Sequence, residues 1–161
     1  MTPLTTPLMT PYVRLKQLGL ELLTPPTPAG NYVPCVFANG FLYLSGQGPR
    51  RADGGMFTGK VGADVSIEEA ITHARLTALN LISVAHVALG DLGRVRRVVK
   101  VLGMVNAVPD FGEHPLVMNG CSDLFVGVFG DAGKHARSAV GMGSLPGNIS
   151  VEVEAILQVD G

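Results

Sequence analysis

One arginine and two glutamates near the end of the chain have the residue types and spacing best suited to chemistry. Arg137 opens the apolar stretch 137–141, and Glu152 and Glu154 alternate with valines in the stretch 151–154. A guanidinium grips a carboxylate through two parallel hydrogen bonds, and burying it without an anionic partner is costly. The pattern therefore indicates either a site for a small carboxylate ligand or a structural ion pair.

The two glutamates are expected on one face of a strand, because residues two apart in a strand project to the same side. Two interpretations stay open for this face. It is a solvated outer face, or it places Glu152 in a cleft where the carboxylate pairs with Arg137 or orients a water molecule. The pattern does not distinguish Glu152 from Glu154 in that role.

Four further residues are candidates for lining a pocket. Ser45 and Gly46 end a predicted strand, where the missing side chain of Gly46 lets a ligand approach the backbone; a plain strand end has the same pattern. Tyr32 offers a hydroxyl at a pocket edge, although an aromatic residue there also suits simple packing. Asn119 is a polar group on a mostly apolar predicted helix.

Motifs for several other chemistries are missing from the sequence. The four histidines lack metal-ligand spacing such as HExxH, so no metal is predicted. No GxSxG elbow, GxGxxG motif or complete GxxxxGK(S/T) motif occurs, which disfavours a serine hydrolase and a phosphate-binding loop. Cys35 and Cys121 are too few and too far apart for a metal knuckle or a disulfide framework, and we expect both to be apolar fillers.

Composition limits the class of protein. The chain has 161 residues, a formal net charge of -1, 16% charged residues and 47% hydrophobic residues. This length suits one domain with a substantial core, and the near-neutral charge gives no field that would attract nucleic acid or an anionic membrane. The scarcity of charge favours self-association. Without a signal-peptide pattern or a membrane-spanning run, we expect a cytoplasmic protein.

Periodicity and turn signals predict an α+β domain that follows an N-terminal arm. The arm, residues 1–29, carries one short helix at Val13–Leu23, and the domain covers residues 30–161. Asn39 and Gly40 indicate a type I′ hairpin turn, while Ser66 and Glu69 form a capping box. The predicted elements of the domain are strands at 32–38, 41–47, 95–105, 137–142 and 149–159, a small strand near Val61, and helices at 67–89 and 115–129.

These elements make one mixed sheet of about six strands, with the last two joined as a hairpin and two helices packed on one face. Two helices cover only one side of so wide a sheet, yet the strand at 95–105 is apolar on both sides. We therefore expect the open faces of several subunits to pack together, with sites at the seams.

The motifs together resemble those of the RidA family, also called YjgF or endoribonuclease L-PSP. The resemblance covers about Gly30 to the end of the chain and rests on four groups of residues: Gly30–Tyr32, Ser45–Gln47, Arg137–Val140 with Leu145 and Pro146, and Val151–Glu154. It implies a chorismate-mutase-like fold and a homotrimer whose sheets form a central barrel. It also implies three clefts between neighbouring subunits.

The resemblance further implies hydrolysis of reactive 2-imino or enamino acids to 2-keto acids and ammonia, with no cofactor. In that activity Arg137 holds the substrate carboxylate and Glu152 positions or activates the attacking water. The residues implied to line the substrate cleft are Tyr32, Ser45, Gly46, Asn119 and Ala139. The alternative function is a protein that binds or senses a carboxylated metabolite without turning it over, and an RNA-directed activity is disfavoured by the near-neutral charge.

Three departures from the usual family pattern mark a divergent subgroup. Ala139 stands where deaminase members typically carry cysteine, and Gly141 stands where an acidic residue is more usual. Extra residues also separate Phe111 from Asn119. These positions are expected to alter the pocket and its choice of ligand.

Overall fold

The computed structural model describes residues 8–161 and confirms the predicted α+β architecture. One sheet of five strands packs against helices, where about six strands were expected. The strands are β1 (Cys35–Ala38), β2 (Phe41–Gln47), β3 (Val95–Asn106), β4 (Ala136–Met142) and β5 (Val151–Val159), and the helices are α1 (Pro11–Gln17), α2 (Ile67–Leu89) and α3 (His114–Phe129). No helix within residues 8–161 is long and apolar enough to cross a membrane.

The sheet is mixed, and its order is β1-β2-β5-β3-β4. β3 and β4 pair in parallel, whereas the other neighbours are antiparallel. The predicted hairpin between the last two strands was wrong, because β3 lies between them. The physical reason is the helix α3, which connects β3 to β4 as a crossover and so returns β4 parallel to β3; the other edge of β3 is then left for β5.

The two long helices begin and end where local signals predict. In α2 the Ser66 side chain accepts from the Glu69 N–H, the Glu69 carboxylate accepts from the Ser66 N–H, and Gly90 ends the helix in the left-handed conformation. In α3 a proline occupies the first turn and Gly130 follows the last residue. The sequence therefore places both helices within about one residue of their observed ends.

Alternation along the strands directs one set of side chains toward α2 and α3. On β3, Val98, Val101 and Val105 are completely buried, and on β5 the valines at 151 and 153 are too. The residues between them lie on the opposite face of the sheet, which no helix covers. The core is thus a helical layer on one face of the sheet, as predicted.

The first helix is shorter and earlier than the predicted Val13–Leu23. It begins at Pro11 and ends at Gln17, because Gly19 takes a positive φ of 68° and the N–H groups of Gly19 and Leu20 return to the carbonyls of Lys16 and Leu15. This C-terminal motif stops the helix before Leu22. Leu15 is buried in the common core at 3% exposure. Residues 1–7 of the predicted N-terminal arm lie outside the described residues.

Two predicted strands also differ from the structure. β1 begins at Cys35 instead of Tyr32, since Pro34 has no N–H to donate to a ladder. The expected small strand near Val61 is a set of isolated bridges to Val65 and Ala107. The hairpin turn is as expected, with positive φ at both Asn39 and Gly40.

His73 of α2 ties the helical layer to the start of β5. Its ring stacks on Phe57 at a centroid distance of 4.3 Å, and its Nδ1 lies 2.8 Å from the Ser150 Oγ. The side chain is 7% exposed. Burial lowers the pKa of His73 from its ordinary value, and the nearby charge of Glu69 opposes that shift. The imidazole is therefore held in its neutral form in the folded chain.

We expect His73 to make the folded state less stable in mild acid. Its pKa is lower in the folded chain than in the unfolded chain, so the unfolded chain binds the proton first and the free energy of unfolding falls as the pH drops below about 6.5. Urea titrations at about pH 7.5 and about pH 5.5 should show a smaller fall for His73→Gln than for the unmodified chain. Between about pH 7.5 and 8.5, where His73 is neutral in both states, the two proteins should show the same pH dependence. An equal fall in mild acid would contradict the prediction.

Candidate active site

The guanidinium of Arg137 is fixed by three oxygen acceptors on α3. Its Nη1 donates to Asn119 Oδ1 at 3.0 Å and to Ser122 Oγ at 3.1 Å, and its Nη2 donates to the Pro115 carbonyl at 3.3 Å. Residue 137 lies on the edge strand β4 and its side chain is half-buried against α3. Since a guanidinium has five N–H donors, this grip leaves donors for a further partner.

No carboxylate of residues 8–161 lies within 4.0 Å of the Arg137 guanidinium. The structural ion pair considered from the sequence is therefore absent from the described part of the chain. All three acceptors are neutral oxygens, which orient a cation without neutralising it. A half-buried, oriented and unneutralised guanidinium is a suitable anchor for a carboxylate ligand.

Ser122 and His135 extend the support behind Arg137. The Ser122 Oγ lies 2.9 Å from His135 Nε2, and His135 Nδ1 lies 2.6 Å from the Gly133 carbonyl. Because only a protonated Nδ1 can donate to that carbonyl, a neutral His135 has Nε2 free to accept from the serine hydroxyl. Burial lowers the pKa of His135, the Gly133 carbonyl opposes this, and the Arg137 charge adds to the lowering. His135 thus keeps Ser122 oriented toward Arg137.

The neighbours of Arg137 on β4 are small. Ala139 packs against the core on the same side of the strand, and Gly141 follows with no side chain. Below them Cys121 of α3 is fully buried, and burial raises the pKa of its thiol to about 12. Cys121 is therefore inert as a nucleophile, as its expected role of apolar filler requires.

Glu152 lies apart from Arg137, in a cavity of about 430 Å³ that Tyr32 and Gly46 also line. A Cβ added to Gly46 would come within 2.7 Å of Glu152 Oε1. The absence of a side chain at position 46 is therefore what allows the carboxylate to lie against this strand. Glu154 lines a separate cavity of about 400 Å³ on the open face of the sheet.

The carboxyl group of Glu152 is half-buried. Burial raises its pKa above the ordinary value, and the like charge of Glu154 raises it further. A carboxyl group with a raised pKa in a cavity is suited to accept and return a proton near neutral pH. The geometry thus supports Glu152 over Glu154 for acid and base chemistry.

The hydroxyl and the N–H of Ser45 already donate hydrogen bonds within the chain. Its Oγ donates to the Val33 carbonyl at 2.7 Å and its N–H donates to the Pro34 carbonyl at 2.9 Å. These bonds hold the segment that contains Tyr32 beside the end of β2. Ser45 itself lines the Glu154 cavity, and it contributes to the Glu152 cavity only by positioning the segment that contains Tyr32.

The predicted site residues form two groups, which do not meet within one protomer. Arg137, Asn119 and Ala139 lie on the side of the sheet that α3 covers, whereas Glu152 projects from the open side. β3 also separates their strands. The suggested pairing of Glu152 with Arg137 is therefore absent within the chain. We call the Arg137 group the anchor half-site, and we call Glu152 with Tyr32 and Gly46 the carboxyl half-site.

Sequence reasoning missed the residues that support the anchor. The Ser122 hydroxyl and the Pro115 carbonyl accept hydrogen bonds from Arg137, and His135 is linked to Arg137 through its hydrogen bond with Ser122. Asn119 and Ser122 lie three apart on α3, a spacing that places both on one helical face. That spacing was the sequence signal available for Ser122, whereas no motif marks His135 or the Pro115 carbonyl.

Comparisons with known proteins agree with the fold and these motifs. The family model described as "YjgF/chorismate mutase-like, putative endoribonuclease" matches residues 12–156. Protein TCP17 of Trypanosoma cruzi is 44% identical over 147 residues, which are 91% of this chain and 92% of that protein.

Two crystal structures are similar over nearly their whole length. Atu1372 of Agrobacterium tumefaciens, a protein of unknown function, is 46% identical with a TM-score of 0.87, and the match covers 94% of each chain. A "putative endoribonuclease" of Shewanella oneidensis is 33% identical with a TM-score of 0.90, covering 93% of this chain and 99% of that one. With both the sequence motifs and the chorismate-mutase-like sheet in place, the chain belongs to the YjgF/RidA family.

Proposed function

We propose that the chain is an enamine and imine deaminase that hydrolyses 2-imino acids to 2-keto acids and ammonia in clefts between the subunits of a homotrimer. The observation that carries this proposal is the guanidinium of Arg137, which three neutral oxygens orient and no described carboxylate neutralises. The cytoplasmic setting and the lack of a cofactor expected from the sequence belong to the same proposal.

A cleft between subunits follows from the separation of the two half-sites. A 2-imino acid needs a cation for its carboxylate and a proton acceptor for the attacking water. The anchor half-site carries the cation, and the carboxyl half-site carries the proton acceptor. Because Arg137 and Glu152 are on opposite sides of one sheet, one chain does not assemble a complete site. A cyclic oligomer brings the anchor half-site of one subunit against the carboxyl half-site of the next.

The open face of the sheet offers a surface for this assembly. Val36 and Tyr43 are 52% and 45% exposed, and together with Leu102 and Ile156 they supply apolar wall to the cavity that Glu154 lines. Apolar side chains in such number on an uncovered sheet face are typical of an interface. Three sheets packed through these faces would form the barrel that family membership implies.

The reaction requires little chemical assistance because the imine carbon is already electrophilic. The water oxygen forms a bond to that carbon while Glu152 accepts a proton from the water. Glu152 returns this proton to the nitrogen, which gives a carbinolamine. The hydroxyl proton of the carbinolamine then passes to the nitrogen through Glu152, the carbon–nitrogen bond breaks with its electron pair leaving on ammonia, and the carbinol oxygen becomes the keto oxygen. An enamine enters the same route after a proton reaches its β-carbon. Positioned proton transfer contributes about 10²- to 10⁴-fold, and fixed orientation adds to it.

Replacing Arg137 tests the anchor. We expect Arg137→Met to reduce kcat/KM for 2-iminobutanoate by about 10- to 100-fold, because a charge-assisted pair with the substrate carboxylate is lost. Arg137→Lys should recover only part of the loss, since an ammonium cannot form the two-pronged contact. Loss of the imine is measured by competition with semicarbazide, and Lys134→Met is the control because that lysine is exposed and paired with Asp131. Full activity of Arg137→Met would contradict the proposal. Saturable binding of 2-oxobutanoate by an unmodified chain that does not accelerate loss of 2-iminobutanoate would favour the sensor alternative.

Mixed oligomers test whether the cleft lies between subunits. Arg137→Met and Glu152→Gln chains, each strongly impaired alone, are co-expressed with different tags and purified through both tags. If neighbouring subunits share a site, some clefts combine the intact anchor of one chain with the intact carboxyl group of the other. Every mixed trimer has one such cleft among its three, and activity should recover to about a third of that of the unmodified protein. Absence of any recovery in verified mixed oligomers would contradict a shared cleft.

The pH profile tests the role of Glu152. A base with a raised pKa gives an activity that increases with pH until the carboxyl group is ionised. Glu154→Gln removes the like charge that contributes to this raised pKa, so the acidic limb of kcat/KM should move to lower pH. At pH values above the acidic limb, Glu152→Gln should lose about 10²- to 10⁴-fold in kcat. An acidic limb that is the same with and without Glu154 would count against Glu152 as the titrating base.

A further inference from the structure

A second cavity, of about 420 Å³, lies at the far end of β4 from Arg137. Its wall includes Lys60, Val108, Phe111, His114, Gly141 and Met142. None of these residues belongs to either half-site. The volume is within the range of small-molecule sites, which are mostly apolar with a few converging polar groups.

Lys60 supplies a half-buried cation to this cavity. Its Nζ donates to Asn106 Oδ1 at 2.8 Å and to the Gly143 carbonyl at 2.9 Å. Asp64 accepts from the Lys60 main-chain N–H, but no carboxylate of residues 8–161 lies within 4.0 Å of Nζ. An ammonium has three donors, and so one N–H remains for a ligand.

His114 brings a second donor to the same cavity. Its Nε2 lies only 2.5 Å from the position that a Cβ on Gly141 would occupy. The ring therefore fills the space that the missing side chain leaves, and the edge-to-face contact with Phe111 at 5.1 Å holds it there. An acidic residue at 141, which is more usual in the family, would compete for this space and neutralise Lys60.

Two of the sequence departures thus converge on one place. Gly141 opens the cavity, and the extra residues between Phe111 and Asn119 include the histidine that enters it. Lys60 comes from the glycine-rich stretch 48–62, and loops of such length often carry function. The half-sites account for none of these features.

We propose that this cavity binds a small organic acid, with Lys60 and His114 holding its carboxylate and the apolar wall holding a compact hydrocarbon body. Two donor side chains match the two oxygens of one carboxylate. A phosphate, with a larger charge and three oxygens, would require more donors than the described wall provides. Phe111, Val108 and Met142 favour a ring or a branched chain over an extended polar molecule.

Benzoate is the probe, and Arg137→Met is the background in which it is measured. That substitution removes the anchor half-site, so benzoate bound through a carboxylate must then use another place. Titration calorimetry of this oligomer should show saturable binding of about one benzoate per chain, and binding should weaken about tenfold or more when Lys60→Met or His114→Phe is added. Benzamide, which has the same shape without the charge, should bind more weakly than benzoate by a similar factor.

Gly141→Glu serves as a second variant that leaves the hydrogen bond between Lys60 and Asn106 unmutated. The introduced carboxylate should occupy the cavity itself and abolish benzoate binding, whereas Lys134→Met should leave binding unchanged. Loss of all benzoate binding in Arg137→Met would overturn the proposal, and so would equal binding by Lys60→Met or by Gly141→Glu. None of these measurements uses the deaminase reaction, so their outcome is independent of the proposed activity.

Discussion

The arrangement of the whole site depends on how α3 holds the guanidinium of Arg137. Three neutral oxygens spread over two turns of that helix fix the plane of the side chain while leaving its charge intact. This grip requires α3 to cross directly behind the edge strand β4. The crossover from β3 through α3 to β4 is therefore as much a part of the anchor as the arginine itself.

The same crossover explains why the two half-sites are apart. It places β4 at the outer edge of the sheet and directs Arg137 toward the helical layer, whereas β5 occupies the middle and projects Glu152 from the open side. A sheet with helices on one face only has two chemically different sides. One side completes the core of each chain, and the other is available to neighbouring subunits.

Much of the fold was predictable because its signals are local. The capping box at Ser66 and Glu69, the Asn39–Gly40 turn and the glycine after α2 each act through neighbouring backbone groups. The ends of α1 were wrong because the apolar spacing continues past Gly19, whose left-handed conformation stops the helix. The predicted final hairpin was wrong for another reason: nothing within the last two strands shows that β3 inserts between them.

The candidate site was predictable to a smaller extent. Arg137 and Glu152 stand out by charge in apolar strands, and Gly46 by its position at a strand end. Ser122 and His135 support Arg137 only because helix and strand pack against each other, and this packing is invisible in residue types. Likewise, Lys60 and His114 are 54 positions apart in the sequence and share a cavity only after folding.

The division of two complementary half-sites between the sides of one sheet constrains how such a protein can evolve. In the proposed homotrimer one gene supplies both halves, so any inherited change is repeated in every subunit and alters all three clefts together. Separate specialisation of one cleft would require gene duplication, with the two products co-assembling. The Lys60 cavity does not depend on a neighbouring subunit in this way, because the residues that line it belong to one chain.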